Sequence, residues 1–174
     1  MRWLVSLSEV VRRAPRSVAW ITFLSWTGLI FFLSSRAPDD SRAHSGLAMA
    51  WLMNLRHAPA FGLFGLLFLW ATSRANERLA ADGRRVFWAV MAVLVYGLID
   101  ERHQYYTPGR DASLSDILTN LAGGWSCAAF LRALEDRAPQ PRIRRLVVIG
   151  VLACAIAALV ATLLPQQWPG LTWL

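Results

Sequence analysis

Acidic, amide and histidine side chains concentrate in one short stretch of an otherwise apolar chain. This stretch covers residues 96–111 and reads YGLIDERHQYYTPGRD, and Asp116 and Asn120 follow it inside the next apolar run. Polar groups are expensive in lipid, at about 2.5–3.5 kcal/mol for a charge at a helix centre, so they usually serve a function where they occur. The carboxylates of Glu101 and Asp116 could act as a general acid or base, or could ligate a divalent metal.

Helical spacing predicts that these side chains lie on two facing surfaces. Glu101 and Gln104 are three residues apart, and Asp116 and Asn120 are four residues apart. Residues at either spacing share a helix face. A Pro-Gly turn separates the two pairs, so a short connector should bring both faces together. The expected result is one polar cluster at one end of a helical hairpin.

His57 opens an earlier apolar run and should lie at the same depth as this cluster. The candidate catalytic residues are His57, Glu101 and Asp116, and the candidate substrate-binding residues are Gln104, Arg110 and Asn120. Arg110 would engage an anion through its planar fork, and Glu101 or Asp116 would serve as base or metal ligand. A metal site made of Glu101, Asp116 and Asn120 would be rich in oxygen and would suit Mg²⁺ or Ca²⁺ better than Zn²⁺. The residues do not decide which cofactor, if any, is used.

A structural interpretation stays open beside the catalytic one. Arg110 could pair with Glu101 or Asp116 and lock a membrane hairpin, while Asn120 bonds across helices. Interhelical hydrogen bonds of about 0.6 kcal/mol on average are compatible with such a role. Asp100 either flanks the site or is solvated. Covalent catalysis is weakly supported, because no Ser or Cys with an adjacent base is evident.

Long apolar runs must position these residues. The chain has 174 residues, of which 56% are hydrophobic and 17% charged, whereas a soluble domain carries about 25% charged residues. Five apolar runs cover residues 18–33, 57–71, 86–99, 114–134 and 146–164. A bilayer core of about 30 Å needs roughly 20 helical residues. The pattern predicts an all-α, polytopic transmembrane helical bundle with five spans.

The arginines predict the orientation of this bundle. All 18 lysine and arginine positions are arginine. Of these, 13 precede the first run, lie between runs two and three, or lie between the last turn of run four and the start of run five. The positive-inside rule places that richer side in the cytoplasm. The N-terminus is then inside, the C-terminus outside and the polar cluster outward-facing. Charge segregated in this way indicates the lipid bilayer as partner and argues against nucleic acid.

The same reading divides the chain into three parts. Residues 1–17 form a basic cytoplasmic arm, residues 18–134 form a four-helix membrane domain, and residues 146–164 form an additional C-terminal transmembrane helix. Apolar residues recur at helical spacing near residues 44–56, which predicts a helix lying on the outer membrane surface.

Several motifs of this sequence resemble those of the VanZ-like family of small bacterial membrane proteins. The matching pattern is DE-x-HQ at residues 100–104, PGR at 108–110 and D-x-x-x-N-x-x-G at 116–123, and shorter similarities occur at 32–35 and 57–65. Family members often carry a lysine shortly before the histidine of span two, where this chain has Met53 and Asn54. The fifth run extends the usual four-helix unit.

The resemblance implies a bacterial inner (cytoplasmic) membrane protein of the cell envelope, and the family's name-giving member is associated with resistance to the glycopeptide antibiotic teicoplanin. Three hypotheses follow. The outward polar site binds, and in one version processes, an envelope-lipid or phosphate-bearing head group. Alternatively, the chain is a non-enzymatic membrane-protein partner that modulates another envelope protein, or a small transporter. Whether the protein is an enzyme stays open.

Overall fold

The computed structural model describes residues 11, 13–36, 46–73, 77–108 and 112–164. Within these residues the chain forms six helices and no strand, which confirms the all-α class. The helices are α1 (Arg16–Ser34), α2 (Leu47–Leu55), α3 (His57–Thr72), α4 (Gly83–Tyr105), α5 (Asp116–Glu135) and α6 (Gln140–Leu163). Most of the predicted basic arm lies outside the described residues.

Three helical stretches of the described chain are long and apolar enough to cross a membrane, judged by length and composition. They are Arg16–Ser34, Leu47–Thr72 and Gln140–Leu163, and the second combines α2 and α3. Helices α4 and α5 have 23 and 20 residues, which is enough length for a span. They carry the polar residues of the candidate site, and these lower their hydropathy. The five-span topology stays a prediction.

Pro59 explains why α2 and α3 are two helices. A proline inside a helix cannot donate its backbone N–H, and its ring clashes with the carbonyl four residues earlier, which here belongs to Leu55. Helix α2 ends at Leu55 and α3 begins at His57. Arg56 between them keeps helical angles of φ −60° and ψ −23°, so the chain continues in nearly the same direction.

Helix α2, which falls in the predicted surface helix near residues 44–56, packs along α6. The Trp51 indole donates to the Ala155 carbonyl at 3.0 Å, and the Asn54 amide donates to the Thr162 hydroxyl at 3.0 Å. The C-terminal helix is therefore tied into the bundle by side-chain hydrogen bonds. The position of α2 on the outer membrane surface stays a prediction.

Helix α5 lies at the centre of the packing and contacts α3, α4 and α6. Two adjacent glycines let it approach its neighbours closely. A Cβ added at Gly123 would stand 2.1 Å from the Ala58 carbonyl oxygen of α3. A Cβ added at Gly124 would stand 2.8 Å from a methyl group of Val93 in α4. These contacts fix how α5 is rotated between α3 and α4.

Aromatic donors connect α1 to the helices beside it. The Trp26 indole donates to the Ala60 carbonyl at 3.0 Å, and the Tyr96 hydroxyl donates to the Thr27 carbonyl at 2.7 Å. A donor without a partner is costly in apolar surroundings, so each bond fixes its aromatic ring against one neighbouring helix. Together they hold α1 beside the pair formed by α3 and α4.

The opposite end of the bundle is tied by the residues that end α5. The Glu135 carboxylate accepts the backbone N–H groups of Leu79 and Ala80, both at 2.8 Å. Arg78 forms an ion pair with Asp136, and its hydrogen bond holds the pKa of that carboxyl below its usual range. The loop between α3 and α4 is thereby attached to the end of α5.

Candidate functional site

The last turns of α4 carry a buried polar face. Gly97, Asp100, Glu101 and Gln104 recur at helical spacing, and all four are buried. The Gln104 amide donates to the Asp100 carboxylate at 2.9 Å. The sequence leaves open whether Asp100 flanks the site or is solvated. In the structure Asp100 is only 3% exposed. It therefore belongs to the polar cluster and is not solvated.

Glu101 fixes the point where the chain returns towards α5. Its side chain is fully buried, and one of its carboxylate oxygens accepts the backbone N–H of Ser113 at 2.9 Å. The hydroxyls of Ser113 and Ser115, just before α5, lie 2.6 Å apart. The bond from Ser113 to Glu101 links the end of α4 to the segment before α5, as the structural interpretation expects of a polar contact that holds the hairpin together.

The first turns of α5 carry the facing polar surface. Asp116, Thr119 and Asn120 are 7%, 0% and 0% exposed. Asp116 Oδ1, Thr119 Oγ1 and both polar side-chain atoms of Asn120 make no hydrogen bond with any described residue. A buried polar group left without its bond costs about 1–3 kcal/mol. Four such atoms on one helix face make this face a candidate binding surface.

Gly97 makes room for Asn120 at the contact between the two helices. A Cβ added at Gly97 would stand 2.9 Å from Asn120 Nδ2. The Asn120 amide thus lies directly against the backbone of α4, between the two polar faces. Thr119 is not among the site residues predicted from the sequence. Its spacing of three residues from Asp116 was the available signal, since it places both on the same face.

The start of α3 completes the surroundings of this face. Ala58 packs against Gly123, one turn along α5 from Asn120. The His57 ring lies parallel to the Phe61 ring, with centroids 6.3 Å apart. Arg56, at the α2–α3 junction, attracts the Asp116 carboxylate, whereas the charge of Asp100 repels it.

Four of the six predicted site residues are thus brought together in the buried facing ends of α4 and α5: Glu101, Gln104, Asp116 and Asn120. His57 stands at the start of the adjoining helix and is partly buried. Arg110 lies outside the described residues. His103 points elsewhere: its Nε2 lies 2.8 Å from the Ser35 hydroxyl at the end of α1.

Metal binding was one expectation for this cluster. Among the residues that the structure describes, no three His, Cys, Asp or Glu side chains lie close enough to hold a metal ion. The mixed set of Glu101, Asp116 and Asn120 stays a prediction as a metal site. The polar groups of the cluster, which are three carboxylates, the Thr119 hydroxyl and two amides, suit hydrogen bonding to a polar ligand.

Comparison with known proteins gives one family. No curated protein and no solved structure matches the chain significantly. A family model described as VanZ/LLP1 matches residues 19–135, a range that includes nearly all of α1, all of α2 to α5 and both polar faces, and that leaves out α6. Because this match covers well over half of the sequence, the chain belongs to the VanZ/LLP1 family.

Proposed function

We propose that this protein is a multi-pass protein of the bacterial inner membrane whose outward-facing polar site binds an envelope lipid or another phosphate-bearing head group. The observation that carries the proposal is the α5 face, where Asp116, Thr119 and Asn120 are buried with polar atoms that no described residue satisfies. In the proposed topology five helices span the membrane and the N-terminus is cytoplasmic. Membership of the VanZ/LLP1 family supports a role in the envelope linked to glycopeptide resistance.

The proposed roles follow from the surroundings of each side chain. Arg110, which follows the Pro-Gly pair in the sequence, binds the phosphate, assisted by Arg56, whose charge acts on Asp116. Gln104 and Asn120 bind the ligand through their amides.

If the site also processes its ligand, the candidate acid and base groups are Asp116, Glu101 and His57. Glu101 already accepts a backbone N–H of the chain, so Asp116 has the carboxylate better placed to act on a ligand.

A second candidate function has its own support. Asp100, Glu101 and Gln104 have hydrogen-bond partners within the cluster, as expected of residues that only hold the hairpin together. In this case the protein acts without catalysis, as a helical partner that modulates another envelope protein.

Lipid retention tests the proposal. The full chain is purified in mild detergent, and bound phosphate-bearing lipid is quantified by native mass spectrometry. Arg110→Ala should lower bound lipid about tenfold, as expected for losing a charge-assisted contact of about 1.5 kcal/mol. The matched control is Arg36→Ala, since Arg36 lies at the end of α1 and stacks on Phe32. It should retain the wild-type amount.

Two outcomes would count against the proposal. Equal lipid retention in Arg110→Ala and wild type would contradict the proposed binding of phosphate by Arg110. If Asp116→Asn and Glu101→Gln lower only the amount of folded protein in the membrane, and leave lipid binding and teicoplanin susceptibility per molecule unchanged, the structural interpretation holds instead.

A further inference from the structure

The end of the bundle where α5 leads into α6 carries an excess of positive charge. Residues 77–85 and 132–145 together contain eight arginines and four acidic residues. Two of the acids accept backbone N–H groups, and the other two form ion pairs with Arg78, Arg85 and Arg132. These four acids are Glu77, Asp82, Glu135 and Asp136. The acids of this end are therefore already engaged within the protein, whereas several of its arginines are not.

Arg142, Arg144 and Arg145 lie near the start of α6. All three are exposed, and none forms an ion pair with a residue that the structure describes. The charge of Arg142 acts on Asp136, which Arg78 already holds. The first turn of α6 has no acidic residue and no side-chain cap, so the positive end of the helix dipole adds to the charge of the arginines.

An exposed apolar stripe continues along α6 from Arg145. Ile149, Leu152, Ile156 and Leu159 follow Arg145 by 4, 7, 11 and 14 residues, a spacing that returns to the same face of a helix. They are 51%, 55%, 59% and 42% exposed. At 1.5 Å per residue the stripe extends about 21 Å from Arg145. Arg142 is three residues from Arg145 and is its neighbour on the helix surface. This face therefore offers two cations at one end and apolar surface below them.

A phospholipid with a net negative head group has the complementary chemistry. Its phosphate accepts the paired, charge-assisted hydrogen bonds that a guanidinium group donates, and its acyl chain packs along apolar side chains. A soluble polyanion would match the arginines but would leave the stripe uncovered. A zwitterionic phospholipid would cover the stripe, but the cation of its head group would be repelled by the arginines.

We propose that this face of α6 is a docking surface for an anionic phospholipid, whose phosphate binds Arg142 and Arg145 and whose acyl chain lies along Ile149, Leu152 and Ile156. The surface lies at the opposite end of the bundle from the buried polar faces of α4 and α5, and α6 is outside the residues 19–135 that the family model matches. The inference therefore goes beyond the proposed function and shares no residue with it.

Fluorescence quenching at a defined position tests the inference. Cys127 and Cys154 are replaced by alanine, and a bimane label is attached to Leu152→Cys on the stripe. The full chain is reconstituted in phosphatidylcholine vesicles that contain spin-labelled phosphatidylglycerol or spin-labelled phosphatidylcholine, each with the nitroxide at the same acyl position. The phosphatidylglycerol should quench with an apparent affinity at least about fivefold higher. Salt at about 1 M should remove most of this difference.

Charge variants locate the head group. Replacing Arg142 and Arg145 together by glutamine should bring the two apparent affinities close to equality, and replacing both by lysine should keep most of the preference because the charge is retained. The matched control is Arg84→Gln. It removes an exposed arginine at the same end of the bundle, but from α4, whereas α6 packs on α2 and α5. It should keep the wild-type preference.

A second label position separates local docking from a general attraction of a basic protein for anionic lipid. Leu159→Cys lies on the same stripe, about 10 Å further from the arginines, and should show nearly equal quenching by the two lipids. Equal quenching at Leu152→Cys would overturn the docking surface. The same preference at both positions would also overturn it. If the glutamine variant does not insert, the two label positions, the salt series and the lysine variant still decide the question.

The docking surface and the proposed function can fail separately. Arg110→Ala should leave the quenching ratio at Leu152→Cys unchanged, whatever it does to the total amount of bound lipid. A loss of the ratio in Arg110→Ala would overturn the assignment of the head group to α6.

Discussion

At the scale of single residues, Arg137 ends α5 in a conformation that glycine adopts more easily. Its φ is 52°, and Ala138 N donates to Ala133 O at 2.9 Å while Arg137 N donates to Leu134 O at 3.1 Å. This is the Schellman arrangement, which usually has glycine at this position. We expect Arg137→Gly to raise the free energy of unfolding by about 1 kcal/mol, measured as a higher thermal midpoint in detergent.

Arg145→Gly is the control for this change. Arg145 is exposed in α6, where the backbone is helical, and glycine in a helix interior lowers stability by about 0.5–1 kcal/mol. The two variants should therefore shift the thermal midpoint in opposite directions. A lower midpoint for both would show that the positive charge at position 137 outweighs its backbone strain.

The predictability of the site also differs from residue to residue. Glu101, Gln104, Asp116 and Asn120 could be found from the sequence because each is costly in an apolar run. Asp100 could not be assigned, since its burial depends on which way α4 turns between its neighbours. Threonine is inexpensive in an apolar helix, where its hydroxyl can bond to its own backbone. The complete burial of Thr119 depends on packing that the sequence alone does not show.

At the scale of helices, the contact of α3 with α5 depends on Gly123. A methyl group there would stand 2.1 Å from a backbone oxygen of α3, which cannot move aside as a side chain can. Gly123→Ala should therefore lower the free energy of unfolding by about 1–3 kcal/mol or more, measured by thermal unfolding and by the yield of inserted protein.

Gly28→Ala in α1 is the matched control. A Cβ at that position meets nothing within 4 Å, and alanine favours a helix over glycine by about 0.5–1 kcal/mol. It should therefore be neutral or stabilising. Equal losses in the two variants would mean that the close approach of α3 and α5 does not carry the stability assigned to it.

Hydropathy located the helices but not their ends. The predicted run 86–99 becomes α4 at Gly83–Tyr105, because the Asp82 side chain accepts the backbone N–H of Arg85 and begins the helix earlier. The run predicted from residue 146 becomes α6 from Gln140. Arginine is a good helix former that hydropathy excludes, and prolines at the start of α6 suit a first turn.

At the scale of the whole molecule, the predicted orientation can be tested directly. Cys127 and Cys154 are replaced by alanine, and single cysteines are introduced as Ala81→Cys, between α3 and α4, or Thr107→Cys, after α4. In intact cells a membrane-impermeant maleimide should label Thr107→Cys, and it should label Ala81→Cys only after permeabilisation. The reverse pattern would place the polar site in the cytoplasm.

Helix α6 is packed into the bundle although the family model does not match it. It lies outside the residues 19–135 that the family model matches, yet it packs on both α2 and α5. Its two hydrogen bonds with α2, from Trp51 and Asn54, join residues 104 and 108 positions apart. No local pattern in the sequence could have revealed that pairing.

This pairing also sets an order of assembly during synthesis. Trp51 and Asn54 leave the ribosome more than 100 residues before their partners in α6. At about 5–20 residues per second, the delay is about 5–20 s. During that time the Asn54 amide must be satisfied by water, lipid head groups or the insertion machinery. The arrival of α6 then replaces those temporary partners, so a helix made late completes the environment of one made early.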